Sequence, residues 1–308
     1  MTLSPDEAIA VLKSNGRSFH FASRLLGQTY RNRAARLYAF CRYVDDLADE
    51  TSNPSNAAQE LLALKASLQT GQSSEPCVAS MIELMQELSM PKGPVLSLIS
   101  GVQSDLKPRR IEDQAELLKY AYQVAGTVGL MMCLILDVRD RQAWPFAIDL
   151  GIAMQLTNIA RDVGEDAQKG RVYLPATWLG DVAAAQILKP AADHATRLRT
   201  ATEHTLSLAQ DYYQSGMAGI HYLPTSARCG IVVAAMVYRE IGQIVAEGDH
   251  RSWANRAIVP YSRKLATAAK ALTRYALQST SRQKHVPHDA HLHQHLQDCF
   301  GANNAATT

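Results

Sequence analysis

Residues 151–175, GIAMQLTNIARDVGEDAQKGRVYLP, decide how the chain folds. Leu150, Ile152, Ala153, Leu156, Ile159, Ala160 and Val163 recur at helical spacing and predict a helix with one buried face. Gln155, Asn158, Asp162, Glu165 and Asp166 fall three or four residues apart on a neighbouring face, one above the other. That polar stripe ends in three acids with no base between them. Like charges four residues apart cost a helix about 0.2–0.5 kcal/mol, so the arrangement points to a cation resting on the stripe. The sign of the charge then reverses at Lys169 and Arg171.

A second acidic patch lies upstream in RYVDDLADE, residues 42–50, with Asp45, Asp46, Asp49 and Glu50. It ends a strong helical pattern carried by Ala34, Leu37, Tyr38, Cys41, Val44, Leu47 and Ala48. Acids at a helix C-terminus oppose the helix dipole, and such broken local rules gather at functional sites. The chain therefore holds two D-x-x-x-D pairs, each with bases close by (Arg42; Arg161, Lys169, Arg171). Magnesium takes one or two carboxylates together with phosphate oxygens and keeps several waters. Two such pairs suit a diphosphate held through metal ions. One pair alone reads as a solvated helix face; two, each beside apolar positions and an arginine, favour the metal site.

The chain has 308 residues, 47% hydrophobic and 19% charged, with a net charge of +2. A large core is affordable in composition, and so weak a positive balance argues against a nucleic-acid partner. Five widely spaced cysteines without a C-x-x-C read as reduced thiols, which with the absence of a signal-peptide pattern predicts a cytoplasmic protein. No apolar run reaches the roughly 18 residues of a membrane span.

Elsewhere the periodicity is helical. Ser4-Pro5-Asp6-Glu7 reads as a capping box. After a break at Ser14-Asn15-Gly16, residues Arg17, Ser18 and Phe19 open a second helix near a terminus that favours anions, though a plain turn is the simpler reading. The charges from Arg109 to Glu116 predict the start of a further helix, and 117–138 is the most apolar one, containing YAYQVAGTVG. Glycine inside a helix costs about 1 kcal/mol against alanine. Gly126 and Gly129 thus imply either close helix packing or a slot for a long apolar ligand, with Tyr120 and Tyr122 as polar-tipped walls. Tyr212, Tyr238, Arg239 and Arg256 are candidate site residues that, taken singly, also fit ordinary core or surface. From residue 279 onward the chain is polar and lacks a period, which predicts a disordered tail to residue 308. Its His288, His291, His293 and His295 meet no cysteine or acid arrangement that completes a metal site, and a solvated tail is the reading taken. No strand alternation, G-x-G-x-x-G, P-loop, G-x-S-x-G or repeat is visible.

Three places resemble the squalene/phytoene synthase family: RYVDDLAD at 42–49, YAYQVAGTVG at 120–129, and the 151–175 stretch with its Gln155, Asn158, Arg161-Asp162, Asp166, Arg171, Tyr173 and Pro175. The likeness extends weakly from about residue 13 to 277, and RDVGEDAQKGRVYLP is most similar to bacterial phytoene synthases. The resemblance implies an all-α, single-domain helical bundle of the isoprenoid-synthase type over residues 1–278, built around a central cavity. On matching positions, Asp45, Asp49, Asp162 and Asp166 are the acids that hold magnesium (manganese being the alternative ion), with Asn158 among the ligands and Gln155 assisting. Gly16 to Phe19, Arg42, Arg161 and Arg171 would surround the diphosphates, with Arg256 a less secure match. Tyr38, Tyr120, Tyr173 and Tyr238 would line the reaction chamber, and Val124, Ala125, Val128 and Gly129 the hydrocarbon channel.

The implied reaction joins two geranylgeranyl diphosphates head to head, through a cyclopropyl diphosphate, to phytoene, without NADPH. Peripheral membrane contact follows from a hydrocarbon product, while an oligomeric partner is not assigned. A farnesyl-diphosphate-using dehydrosqualene, presqualene diphosphate or squalene synthase is the alternative. A head-to-tail elongating enzyme shares D-D-x-x-D at Asp45–Asp49 but expects a doubled Asp in the second motif. A helical scaffold that has lost its chemistry is argued against by the presence of all four aspartates.

Overall fold

The computed structural model describes residues 2–49, 54–279 and 286–303. Helices α1 (Pro5–Asn15), α2 (Arg17–Ser23) and α3 (Gln28–Asp49) open the chain, followed by α4 (Pro54–Thr70), α5 (Pro76–Leu88) and α6 (Lys92–Gln103). The apolar run becomes α7 (Gln114–Ala121), a π-turn over Tyr122–Gly126, and α8 (Thr127–Ile135). The acidic stripe lies on α9 (Trp144–Arg161) and α10 (Val163–Gln168). Two short helices, α11 (Ala176–Leu179) and α12 (Ala184–Leu188), lead into the long α13 (Ala192–Ala218), α14 (Thr225–Glu247) and α15 (Tyr261–Ser279). The fold is thus the all-α bundle expected.

The capping box at the start of α1 forms as read: Glu7 N–H donates to Ser4 Oγ at 3.3 Å, and Ser4 N–H donates to Glu7 Oε2 at 2.8 Å. α9 is the central helix, packed against α8, α13 and α14, with Ile148, Ile152, Ala153, Leu156 and Ala160 fully buried. Close packing is what the glycines serve. A Cβ on Gly129 would sit 2.0 Å from the Ala147 carbonyl oxygen, and one on Gly151 would sit 2.2 Å from that of Ala125. The segments Gln114–Ile135 and Thr225–Glu247 are long and apolar enough to cross a membrane by composition, but half or more of each apolar window is buried inside the protein.

Three expectations are corrected. Arg109 and Arg110 do not open a helix; they form a two-residue strand, β1, paired in parallel with β2 (Arg171–Val172), Arg109 opposite Arg171. Extended backbone sends the two guanidiniums different ways. Arg109 lies over the Tyr120 ring at 4.5 Å, and Arg110 donates to Val182 O at 2.9 Å and Gly180 O at 2.5 Å. α7 begins only after Asp113, which accepts from Glu116 N–H at 2.9 Å. Second, Tyr122 and Tyr212 are buried in the core and do not line the cavity described below.

Third, residues 286–303 do not extend into solvent as a tail. They pack against the domain with Leu296 and His293 buried, because their histidines find an acid on α9. Of the segment expected to be disordered, residues 280–285 and 304–308 lie outside the described residues, as does Glu50 of the first acidic patch.

Candidate active site

The helices enclose a cavity of about 1000 Å³, at the upper end of the ~300–1,000 Å³ of ordinary ligand pockets. Every residue assigned through the family resemblance lines it, from Gly16 to Arg256. Acidic and basic side chains line it together with apolar ones, Met132, Leu136, Phe146 and Leu223 among them. Val124, Ala125, Val128 and Gly129 run along its side, where the π-turn passes into α8.

The first acidic pair occupies the last turn of α3, as the sequence pattern indicates. Asp49 Oδ1 accepts from the Arg171 guanidinium at 2.7 Å, and its Oδ2 accepts from Lys169 Nζ at 2.8 Å. These bases come directly after the second pair, so the two ion pairs tie the end of α3 to the chain beyond α10. The second pair straddles a helix break. Asp162 ends α9 and its carbonyl accepts from Asp166 N–H at 2.8 Å. Asp162 Oδ1 also accepts from Arg161 Nε at 2.7 Å and Arg256 Nε at 3.0 Å. Arg256, the less secure match, is thereby placed at the mouth, where it also pairs with Glu165 at 3.2 Å. Arg42 pairs with Asp46, one turn along α3.

Each pair therefore has one carboxylate held by bases and one that is not. Neither Asp45 nor Asp166 is in a salt bridge among the described residues. Asp45 is open to the cavity on one side and surrounded by protein on the others. Loss of hydration and the nearby Asp49 push its carboxyl up to about 7. The same two causes, burial and then Asp162, push Asp166 up to about 8, against the pull of Arg171 and Lys169.

A fifth carboxylate joins the clusters. Asp105, in the turn after α6, lines the same cavity as both pairs, and its charge adds to the rise at Asp45 and Asp166. Its Oδ2 accepts from the Tyr120 hydroxyl at 2.7 Å, and burial raises its own carboxyl despite the Tyr120 and Tyr173 hydroxyls. Sequence reading missed Asp105. The available signal was an acid three residues after Val102 and one before Leu106, at a register facing the core. The β1–β2 pairing brings this turn beside Arg171 and Tyr173.

Aromatic rings form the wall next to the acids. Tyr120 and Tyr173 stack at 4.8 Å and 14°, and Phe19 stacks on Tyr238 at 4.7 Å and 27°. Tyr38 approaches Gly16 so closely that a Cβ there would lie 2.7 Å from its ring. This explains the glycine and brings the 16–19 turn into the cavity wall. Asn158 donates to Gln155 Oε1 at 3.3 Å, while its own amide oxygen is buried without a hydrogen-bond partner among the described residues. Two uncompensated carboxylates and an unused amide oxygen make an all-oxygen donor set, which fits a hard divalent cation of the magnesium type.

Residues 12–264 match the family model described as Squalene/phytoene synthase. The chain belongs to the squalene/phytoene synthase family. A phytoene synthase of Cereibacter sphaeroides is 35% identical over 286 residues, covering 88% of this chain and 80% of that protein. A 15-cis-phytoene synthase of Enterobacter agglomerans is 32% identical over 294 residues, covering 92% and 99%. Among solved structures, a dehydrosqualene synthase in complex with a ligand is 28% identical with a TM-score of 0.77, covering 89% of this chain and 96% of that one. A squalene synthase of Alicyclobacillus acidocaldarius, 19% identical with a TM-score of 0.69 over 80% of this chain and 94% of that one, shares the fold. As a member of the squalene/phytoene synthase family the chain is a prenyltransferase-type enzyme with the helical isoprenoid-synthase architecture.

Proposed function

We infer that this chain condenses two geranylgeranyl diphosphates head to head to phytoene, releasing both diphosphates, in carotenoid biosynthesis. The observation that carries the chemistry is that both acidic pairs line one cavity with a partly apolar wall, tied together where Lys169 and Arg171 hold Asp49. The similarity to phytoene synthases over most of the chain supports the twenty-carbon substrate.

Asp45, Asp49, Asp162, Asp166 and Asn158 would hold magnesium. When bound, the metal neutralises diphosphate oxygens as negative charge develops on them. Arg42, Arg161 and Arg171 add fixed positive charge at the same place, favouring departure of the leaving group over its ground state. Ionisation of the first diphosphate leaves an allylic cation, which the second substrate's double bond attacks. Proton loss closes a cyclopropane ring. A second ionisation, rearrangement and proton loss give phytoene. The Tyr120–Tyr173 stack and the Phe19–Tyr238 stack present π-faces beside the acids, where a passing carbocation is attracted electrostatically. The walls from Val124 to Leu136 keep water from it. No step consumes a reductant.

Incubation with magnesium and either the fifteen- or the twenty-carbon allylic diphosphate as sole substrate tests the assignment by product mass. A forty-carbon hydrocarbon from the longer substrate is expected. Reaction of only the shorter one would move the chain to the dehydrosqualene or squalene branch. Failure of both without isopentenyl diphosphate would favour head-to-tail elongation.

The enzyme works in the cytoplasm against a membrane surface. Ile258, Tyr261 and Leu265 are 74%, 63% and 46% exposed, and Ile258 also lines the cavity. α15 adds Lys264, Lys270 and Arg274 and carries no acid, while its Arg263 is paired with Glu240 and Glu247; the three remaining bases suit an anionic lipid surface receiving a hydrocarbon. Co-sedimentation with vesicles containing anionic lipid should fall on Ile258→Asp; unchanged binding would refute this contact.

A further inference from the structure

Asp149 lies on α9, fully buried, on the core side away from the acids of the mouth. Its Oδ2 is 2.8 Å from His288 Nε2, and its Oδ1 is 2.7 Å from His293 Nε2. Ser215 Oγ on α13 donates to Oδ2 at 2.5 Å. The three potential ligand atoms of Asp149, His288 and His293 lie within 4.8 Å of one another. Sequence reading left these histidines without an acid because the acid is 139 and 144 residues upstream.

The contact at His293 constrains what can sit there. Its Nδ1 is 2.5 Å from the carbonyl oxygen of Ala302. A carbonyl only accepts, so Nδ1 carries the proton. In a neutral ring the Nε2 lone pair then points at a carboxylate that also only accepts. At 2.7 Å these lone pairs repel unless something cationic lies between them. A proton would relieve this one contact. A divalent ion, about 2.0–2.2 Å from each ligand atom, would take the proton's place once the two side chains part by a few tenths of an ångström, and would engage His288 as well. An imidazole whose second nitrogen donates to a backbone carbonyl is also the usual arrangement behind a metal ligand. Two imidazole nitrogens with one carboxylate oxygen suit zinc and neighbouring late first-row ions; magnesium prefers oxygen alone.

We propose that Asp149, His288 and His293 form a transition-metal site, of the zinc class, that staples residues 286–303 to the helices behind the cavity. The stapled segment accepts hydrogen bonds from core tyrosines: Tyr212 to Leu292 O at 2.6 Å and Tyr122 to Phe300 O at 2.8 Å. Phe300 packs on Trp144 with ring centroids 5.5 Å apart. Tyr122 opens the π-turn, and Val124 and Ala125 in the same turn line the cavity. The site therefore braces the outer side of the wall against which the hydrocarbon lies.

The test uses the full chain, stripped with chelator and returned to excess magnesium so that the acids of the mouth are occupied. Cobalt(II) is then titrated in as the spectroscopic probe. One equivalent should bind with the visible absorption of a low-symmetry nitrogen–oxygen site, be displaced by zinc, and be lost in His288→Ala. His288→Cys should keep the equivalent and add a near-ultraviolet thiolate-to-cobalt band. Zinc should raise the Tm of the wild type by about 5 °C and that of His288→Ala by far less. Wild-type protein that takes up no cobalt in excess magnesium, or a folded His288→Ala that binds it unchanged, would overturn the proposal and leave an imidazolium clamp. No readout involves turnover, so the result is independent of the assigned reaction.

Discussion

The two acidic pairs are spelled alike and built differently. Asp45 and Asp49 share the last turn of one continuous helix, whereas Asp162 and Asp166 fall on either side of a helix break, Asp162 at the residue that precedes the second piece. Yet each reaches the same electrostatic state: Asp49 and Asp162 are held by two bases each, while Asp45 and Asp166 are pushed up by loss of hydration and by their partners. What the two share is a carboxylate whose charge the protein itself does not satisfy. That is the group expected to carry metal, and the held one is expected to position it.

Substitution of the unsatisfied acids should break this comparison most severely. Asp45→Asn or Asp166→Asn is expected to lower turnover roughly 100–1,000-fold, with helical circular dichroism unchanged; near-normal rates in either would remove that acid from the site. Next comes the link between the pairs. Arg171→Gln deprives Asp49 of a charged hydrogen bond and Asp166 of a compensating charge, which should cost about 10–100-fold in activity, measured as kcat/KM with magnesium saturating.

Filling the apolar half tests its independence from the mouth. Ala147→Phe, on a cavity-lining position, should shift preference about 10-fold towards the fifteen-carbon substrate without altering magnesium dependence.

The pH response is gentler. Asp45 near 7 and Asp166 near 8 retain protons in the folded state that the unfolded chain has already lost. Folded-state protonation thus contributes stability at low pH that is lost as pH rises through that window. Metal-free protein should therefore melt lower at about pH 9 than at about pH 6, and magnesium with inorganic diphosphate should recover more of the loss at the higher pH. The smallest effect, and one remote from the site, is Ser4→Ala, which should cost about 1 kcal/mol in denaturant unfolding through the lost cap and leave turnover intact.

How much of this was legible in the sequence depended on whether the signal was local. The α3 and α9 acids showed because a helical period fixes which side chains share a face. Asp105 did not, because a single acid in a turn acquires meaning only from Tyr120, 15 residues on, and from acids on two other helices. The β1–β2 ladder is two residues long, too short for alternation to register. The glycines of the apolar run left packing and ligand access equally open; at Gly129 both hold, since it packs on Ala147 and also lines the cavity. The C-terminal histidines looked solvated because burial of a polar segment depends on a distant partner, here Asp149.

The most direct test of a shared metal–diphosphate site is diffraction from crystals grown with manganese and an unreactive prenyl thiodiphosphate, read from the manganese anomalous signal. Peaks at roughly 2.0–2.3 Å from carboxylates of both α3 and the α9–α10 break, bridged by one diphosphate, are expected. Manganese on a single pair, or diphosphate bound away from both, would contradict it.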